Sequence, residues 1–168
     1  MNVVLFGFMG VGKTTVGRLL APRLGYLFVD SDTEAEQELG MRISAAFAQL
    51  GEPGFRAVER RVIRRLVKSD RLVIALGGGA VLDSSNVAVL RGTGKMILLT
   101  ASPEEISLRT HSDSNRPLLA GENKIGRIKN LMSERLERYL AAADAVVDTN
   151  GVPPIRVAEA IHNRLEVL

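Results

Sequence analysis

Five short apolar segments, separated by longer stretches of helical periodicity, constrain the fold of this chain more than any other feature. They cover residues 2–6, 26–29, 72–76, 95–100 and 145–148. Four of them are apolar almost throughout instead of alternating with polar residues, which is typical of strands that helices cover on both faces. Glycines and prolines stand where the intervening helices would end and begin. The pattern therefore predicts an α/β protein with a parallel sheet.

The size and composition of the chain fit one globular unit. It has 168 residues, of which 46% are hydrophobic and 24% charged, and it has no cysteine. We therefore predict a single domain over residues 1–168, without disulfides or thiolate zinc sites. No apolar run approaches the ~20 residues of a membrane-spanning helix, and the first residues do not resemble a secretion signal. We expect a cytoplasmic protein that does not associate with membranes.

The first apolar segment runs directly into residues 7–14, GFMGVGKT, and a predicted helix follows. This segment fits the pattern G-x-x-x-x-G-K-[ST], in which glycines and the first amides of the helix surround phosphate oxygens. Lys13 would reach the β- and γ-phosphates, and the Thr14 hydroxyl would bind Mg²⁺. A glycine-rich turn with an incidental lysine is the alternative. The residues predicted to bind ATP here are Gly10, Val11, Gly12, Lys13, Thr14 and Thr15.

Two carboxylates close the second apolar segment. Asp30 and Asp32 lie at a strand end of the kind where ligands gather in α/β sheets, and in extended geometry side chains two residues apart point the same way. One carboxylate could hold metal-bound water while the other deprotonates or orients a hydroxyl that attacks a phosphate, which is kinase chemistry. A helix N-cap is the alternative.

Glycines and arginines mark further candidate positions. Residues 77–79 are three glycines directly after the third apolar segment, where the backbone could approach a ligand closely or could form a flexible turn. Arginine suits bidentate binding of phosphate and carboxylate, although many arginines are ordinary surface residues. The helix after residue 53 is rich in arginine, but without interleaved aromatic residues we expect no nucleic-acid partner. The arginines singled out are Arg56, Arg109, Arg116 and Arg135.

The least periodic stretch covers residues 111–124 and is polar and glycine-containing. We predict that it forms a mobile lid that carries Arg116 over bound substrates, because phosphoryl transfer benefits from the exclusion of water. An ordinary surface loop is the alternative.

Taken together, these motifs resemble those of the shikimate kinases, which belong to the P-loop kinases related to nucleoside-monophosphate kinases. The phosphate loop alone is shared with many unrelated proteins, whereas the ordered combination is specific and spans nearly the whole chain. The motifs in order are GFMGVGKTTVGRLLA from residue 7, DSD at 30–32, GEPGFRAVE at 51–59, LGGGAV at 76–81 and RPLLAG at 116–121.

The resemblance implies ATP- and Mg²⁺-dependent transfer of a phosphoryl group to the 3-hydroxyl of shikimate, on the route to chorismate. It also implies a five-stranded parallel sheet of order 2-3-1-4-5, with substrate-binding helices at about 31–69. By matching position, the resemblance implies catalytic roles for Lys13, Asp32 and Arg116, and contacts with ATP for Arg109 and Arg116. It implies that the metal is bound by Thr14 and, through water, by Asp30. It implies that shikimate is bound by Asp32, Arg56, Gly78 and Arg135, with Glu59, Gly77 and Gly79 in supporting positions.

Other functions are compatible with part of these motifs. A kinase for another small polyol acid such as gluconate, or for a nucleoside monophosphate, would share the scaffold. A non-catalytic nucleotide-binding module would keep the loop but would not need the other motifs. The chain also departs from the family at Glu137, where a proline usually follows the substrate arginine by two residues. We expect a monomer that acts on small molecules.

Overall fold

A computed structural model of the protein describes residues 1–111 and 123–166. Within them, strands and helices alternate along the chain as the sequence predicts. The elements are β1 (Asn2–Phe6), α1 (Lys13–Leu24), β2 (Leu27–Asp30), α2 (Ser31–Leu39), α3 (Ile43–Leu66), β3 (Leu72–Ala75), a 3₁₀ turn (Ala80–Leu82), α4 (Ser84–Arg91), β4 (Gly94–Thr100), α5 (Pro103–Arg109), α6 (Lys124–Ala142), β5 (Ala145–Asp148) and α7 (Pro154–Leu165).

The five strands form one parallel sheet in the order β2-β3-β1-β4-β5. Every residue of the central strands β1 and β3 is buried, whereas the edge strands β2 and β5 are partly exposed. Helix α1 packs with α7 and against β1, β2 and β3, while α4 and α6 pack against β4. The predicted fold class and strand order are therefore confirmed.

The second strand begins one residue later than predicted, because the Tyr26 amide takes part in the termination of α1. Gly25 adopts a left-handed conformation with φ 65°, and the Tyr26 amide donates to Ala21 O at 2.9 Å, which completes the helix terminus. The strand then runs to Asp30, which pairs with Ala75. This shift matters for the site because Asp30 becomes the last residue of β2.

Helix α3 consists of two helical halves joined at a kink. Gly51 has φ 68° and ψ 173°, which is incompatible with a continuous helix, and Pro53 lies in the first turn of the second half as predicted. The kink brings Phe47 of the first half against Phe55 of the second, with ring centroids 4.7 Å apart. Helices α2 and α3 thus occupy the region predicted for substrate binding.

Most of the predicted lid lies outside the described residues, which end at His111 and resume at Asn123. Arg116 falls in that gap. In the part of the chain that is described, no helix is both long and apolar enough to cross a membrane.

We predict that Gly94→Ala destabilises the protein by about 1 to 3 kcal/mol, the typical cost of overpacking. A Cβ at Gly94 would lie 2.4 Å from the backbone oxygen of Asn2 and would push β4 away from β1. Gly92 is the matched control, because its φ is −65° and a Cβ there meets its nearest atom at 3.5 Å. Gly92→Ala should leave the free energy of unfolding in urea unchanged or slightly higher. Equal effects of the two substitutions would contradict the packing argument.

Candidate active site

The loop between β1 and α1 is shaped by glycines in conformations that other residues rarely adopt. Gly7, Gly10 and Gly12 have φ values of 142°, 81° and 100°. Gly12 is the N-cap of α1 and makes no side-chain cap, and the positive end of the helix dipole faces the loop. The Lys13 ammonium donates to Gly7 O at 2.9 Å and to Phe8 O at 3.0 Å. The loop therefore has the geometry of a phosphate-binding loop.

Asp30 connects this loop to the second strand. The Thr14 hydroxyl donates to Asp30 Oδ2 at 2.7 Å, while Asp30 Oδ1 accepts the amides of Asp32 and Thr33 at 3.0 and 3.3 Å. Asp30 is thus the N-cap of α2 and at the same time a partner of the predicted metal ligand. The N-cap alternative is correct for Asp30.

The expectation that Asp30 and Asp32 share extended geometry is wrong. Asp30 ends β2 with φ −110° and ψ 119°, whereas Asp32 is already in the first turn of α2. The physical reason is the cap itself, because the Asp30 carboxylate satisfies two helix amides and so stabilises a helix start at Ser31. Both carboxylates nevertheless line the same cleft.

Asp32 lies in a setting that favours its protonated form. Burial is the main cause that raises its pKa above the ordinary 3.8, and the Asp30 carboxylate adds to the rise. The charges of Lys13 and Arg56 act in the opposite direction and are weaker. A raised pKa makes Asp32 a stronger base than an exposed aspartate.

Each of the three glycines at residues 77–79 lies next to a different charged side chain. A Cβ on Gly77 would lie 2.5 Å from Asp32 Oδ1, and one on Gly79 would lie 2.2 Å from Arg56 Nη2. At Gly78 the nearest atom is Arg135 Nη1, at 3.5 Å. The glycines therefore make room for the charged groups to approach the loop, and a flexible turn does not account for them.

Arg56 is held on several sides by α3. Its Nη1 donates to both carboxylate oxygens of Glu59, at 2.8 and 3.0 Å, and its Nη2 donates to Glu52 at 3.4 Å. Its guanidinium also lies 5.9 and 5.5 Å from the ring centroids of Phe47 and Phe55. The kink in α3 is what brings both rings to it, and the sequence motifs alone did not indicate this aromatic support.

Arg135 comes to the opposite side of the glycines from α6. It is 8% exposed, and its guanidinium lies 5.6 Å from the ring centroid of Phe8, in the phosphate loop. Glu137 is exposed on an uninterrupted helix, so the family's usual proline is not needed to bury Arg135 here. The arginine is fixed by its contacts with Phe8 and the glycine loop.

Arg109 links the phosphate loop to the end of β5. Its guanidinium donates to Thr149 Oγ1 at 3.0 Å, to Thr149 O at 2.8 Å and to Val11 O at 3.3 Å. Its Nε donates to Glu105 at 2.9 Å. Arg109 therefore lies beside the loop and is held in place by hydrogen bonds to main chain and side chains.

One cleft of about 1270 Å³ joins these parts. This volume exceeds the ~300–1,000 Å³ of a typical small-molecule pocket, so there is room for two ligands side by side. Arg56 and Arg135 are not on its walls but adjoin it behind Gly79 and Gly78. The predicted residues on its walls are Gly10, Val11, Gly12, Lys13, Thr14, Thr15, Asp30, Asp32, Gly78 and Arg109. The cleft is also lined by residues for which the sequence motifs predicted no role, including Glu36, Ile43, Ser44 and Phe47.

The donor set at the phosphate loop fits a hard cation. Within residues 1–111 and 123–166, no group of three or more histidine, cysteine or carboxylate side chains could enclose a metal ion. Thr14 and Asp30 offer only oxygen atoms, which is the ligand type of Mg²⁺, an ion that keeps several waters and binds substrate phosphates. The residues present are therefore compatible with Mg²⁺ bound mainly through nucleotide and water.

The buried Glu59 predicts a specific pH dependence of stability. Burial raises its pKa from 4.5 to about 7, and Arg56 offsets the rise only in part. The folded state holds the proton of Glu59 more tightly than the unfolded state does. The stabilising contribution of Glu59 to the free energy of unfolding is therefore fully present below pH 4.5 and is lost as the pH rises through 7. Between these values, the free energy of unfolding should fall by about 2 to 4 kcal/mol relative to that of Glu59→Gln. Urea titrations of both proteins at several pH values provide the measurement, and parallel pH profiles would contradict the prediction.

Comparisons with known proteins agree with the geometry. A family model described as shikimate kinase matches residues 9–166. Curated shikimate kinases from Thermodesulfovibrio yellowstonii and Pseudomonas aeruginosa strain LESB58 are each 44% identical to the chain. The first match covers 99% of this chain and 96% of the relative, and the second covers 100% and 98%.

Solved structures extend the similarity to three dimensions. The shikimate kinase from Acinetobacter baumannii in complex with shikimate is 38% identical, with a TM-score of 0.95 over 99% of this chain and 93% of that one. The shikimate kinase from Aquifex aeolicus is 33% identical, with a TM-score of 0.86 over 99% and 96%. A family match over nearly the whole chain, relatives of this identity and the site geometry lead to one conclusion: the chain belongs to the shikimate kinase family.

Proposed function

We propose that this protein transfers the γ-phosphoryl group of ATP to the 3-hydroxyl of shikimate and releases shikimate 3-phosphate and ADP. The observation that carries the proposal is the single cleft that joins the phosphate loop to Asp32 and Gly78, with Arg56 and Arg135 behind the glycines. Two guanidinium groups beside a carboxylate base suit a compact acceptor that has both a carboxylate and hydroxyl groups.

In this proposal the nucleotide occupies the half of the cleft between α1 and the end of β5. The amides of the phosphate loop and Lys13 bind its phosphates, and the lysine leaves the carbonyls of Gly7 and Phe8 to do so. Arg109 lies against the adenine, and its hydrogen bonds to Thr149 fix its orientation. The segment after Thr149 forms the other side of this half of the cleft.

Mg²⁺ would be held by the Thr14 hydroxyl, by the nucleotide phosphates and, through water, by Asp30. When bound, the ion neutralises charge on the phosphates that are transferred and released. The hydrogen bond between Thr14 and Asp30 supports this assignment, because it holds both oxygen donors at the same edge of the loop.

The acceptor occupies the other half of the cleft. Arg56 and Arg135 bind its carboxylate, Gly78 contributes a backbone contact, and Asp32 accepts the proton of the attacking 3-hydroxyl. The raised pKa of Asp32 supports the role of base. Glu59 holds Arg56 by a two-pronged contact, and Gly77 and Gly79 leave space for the charged groups. Arg116 and the lid, which lie outside the described residues, stay predictions.

A coupled assay of ADP release tests the proposal directly. Turnover is compared without acceptor and with shikimate, gluconate or a nucleoside monophosphate, each with ATP and Mg²⁺. We expect strong stimulation by shikimate alone. Stimulation by gluconate instead would restore the alternative kinase, which the family match and the relatives do not support. ATP binding without stimulated turnover would indicate a non-catalytic module.

The proposal includes a monomeric enzyme in the cytoplasm, where ATP and a small diffusible acceptor are both present. The phosphate loop, Asp32, the glycine loop and both arginines all come from one chain, which supports activity without a second copy. A turnover number that does not depend on enzyme concentration would agree with this.

We predict that Asp32→Asn lowers kcat by about 10²-fold or more, because the amide cannot accept the proton of the acceptor hydroxyl. ATP affinity, measured by calorimetry, should remain within a few-fold of the wild-type value. Asp70→Asn is the matched control, because Asp70 is exposed and its carboxylate pairs with the amino group of Met1. A kcat near wild type in Asp32→Asn would remove Asp32 from the mechanism.

We predict that Gly79→Ala raises the KM for shikimate about tenfold or more and also lowers stability, because displacement of Arg56 weakens its contact with the buried Glu59. The added methyl group would occupy the position of the Arg56 guanidinium, which is a flexible side-chain end and moves away from the acceptor. A lost charge-assisted hydrogen bond accounts for the size of the effect. The effect should disappear in an Arg56→Ala background, which completes a double-mutant cycle. An undiminished effect in that background would show that Gly79 acts without Arg56.

A further inference from the structure

The glycine loop contains main-chain amides that have no partner in the described part of the protein. The Gly77 amide donates to Ser31 Oγ at 3.1 Å, and the Ala80 amide donates to Gly77 O at 3.1 Å. Between them, the amides of Gly78 and Gly79 donate to none of the described residues. Gly79 is buried. A buried amide without a partner is rare, and beside two arginines it suggests an anionic ligand.

The carbonyl in the middle of the same loop is held by a tyrosine from α6. The Tyr139 hydroxyl donates to Gly78 O at 2.5 Å. The ring is 4% exposed and packs edge-on against Phe6, with centroids 6.1 Å apart and an interplanar angle of 83°. Ring and hydroxyl are therefore both fixed.

Peptide planarity connects this hydrogen bond to the unpartnered amide. The carbonyl of Gly78 and the N–H of Gly79 belong to one planar peptide group and point in opposite directions. A hydroxyl that fixes the direction of the carbonyl therefore also fixes the direction of the Gly79 amide. Glycine on both sides of the peptide would otherwise allow it to rotate freely.

The same tyrosine is coupled to Arg135. Residues four apart on a helix lie on the same face, so Arg135 and Tyr139 both approach the glycine loop from α6. Arg135 Nη1 lies beside Gly78, and Arg56 Nη2 lies beside Gly79. Each of the two residues whose amides lack a partner among the described residues therefore has a guanidinium group beside it.

We propose that Tyr139 is a positioning residue of the acceptor site. By holding the Gly78–Gly79 peptide, its hydroxyl directs the Gly79 amide toward the carboxylate of the acceptor, next to Arg56 and Arg135. The proposal rests on the proposed function, because it takes shikimate as the acceptor. Tyr139 itself need not touch the substrate, since it acts through the peptide.

The test compares Tyr139→Phe with Tyr26→Phe in the full chain. The protein has two tyrosines, so the control makes the same chemical change at a partly buried tyrosine outside the site. Each protein is assayed with shikimate and with shikimate methyl ester, whose carboxylate charge is blocked. The readouts are KM for each acceptor, KM for ATP, kcat and the unfolding temperature.

For Tyr139→Phe we expect the KM for shikimate to rise about five- to tenfold, as for the loss of one well-formed hydrogen bond. The preference for the acid over the ester should shrink by a similar factor, while the KM for ATP stays within twofold. Tyr26→Phe should behave like the wild type. An unchanged preference in Tyr139→Phe, with or without a lower unfolding temperature, overturns the positioning role. Wild-type protein that does not phosphorylate shikimate would instead overturn the proposed function.

A second measurement covers the case in which Tyr139→Phe does not fold. In the Tyr26→Phe background, Tyr139 is the single tyrosine, and biosynthetic replacement by 3-fluorotyrosine keeps both ring and hydroxyl. The fluorine makes the hydroxyl more acidic and so changes its strength as a donor. A changed acid-to-ester preference supports the proposal, and an unchanged preference overturns it.

Discussion

The site depends on the adjacency of β2, β3 and β1 in a parallel sheet. Parallel strands place their carboxyl ends at one edge, so the three segments that follow these strands meet there. They are the cap at Asp30, the glycines at 77–79 and the phosphate loop. The segment after each strand has a different chemistry. One edge of the sheet therefore holds two carboxylates, a glycine backbone that charged side chains can approach closely, and a phosphate-binding loop.

The second constraint is electrostatic. Burial raises the pKa of both Asp32 and Glu59, and the charge of Arg56 offsets the rise only in part. Bringing two further cations, Lys13 and Arg135, to the same edge would be unfavourable without these carboxylates and without an anionic ligand. The candidate site is therefore balanced for substrates that carry negative charge at both ends of the cleft, a nucleotide phosphate at one and a carboxylate at the other.

The sequence predicted what is local and missed what joins distant elements. Apolar segments identified all five strands, and the glycine and lysine pattern identified the phosphate loop, because each depends on neighbouring residues. The hydrogen bonds from the Gly77 amide to Ser31 Oγ and from the Tyr139 hydroxyl to Gly78 O span 46 and 61 residues and leave no local pattern. The extended geometry expected for Asp32 was wrong because the Asp30 carboxylate caps α2, and the helix therefore begins at Ser31.

Glu137 stands where the family usually has a proline, and α6 is uninterrupted there. A proline near the end of α6 would remove a helical hydrogen bond and redirect the last turns. Here α6 continues to Ala142, and Arg135 is fixed by the Phe8 ring on one side and by the glycine loop on the other. The direction of the arginine thus depends on contacts that its own side chain makes. Such contacts do not depend on a bend in the helix. An exposed glutamate at position 137, where the family usually has proline, is therefore compatible with the observed position of Arg135.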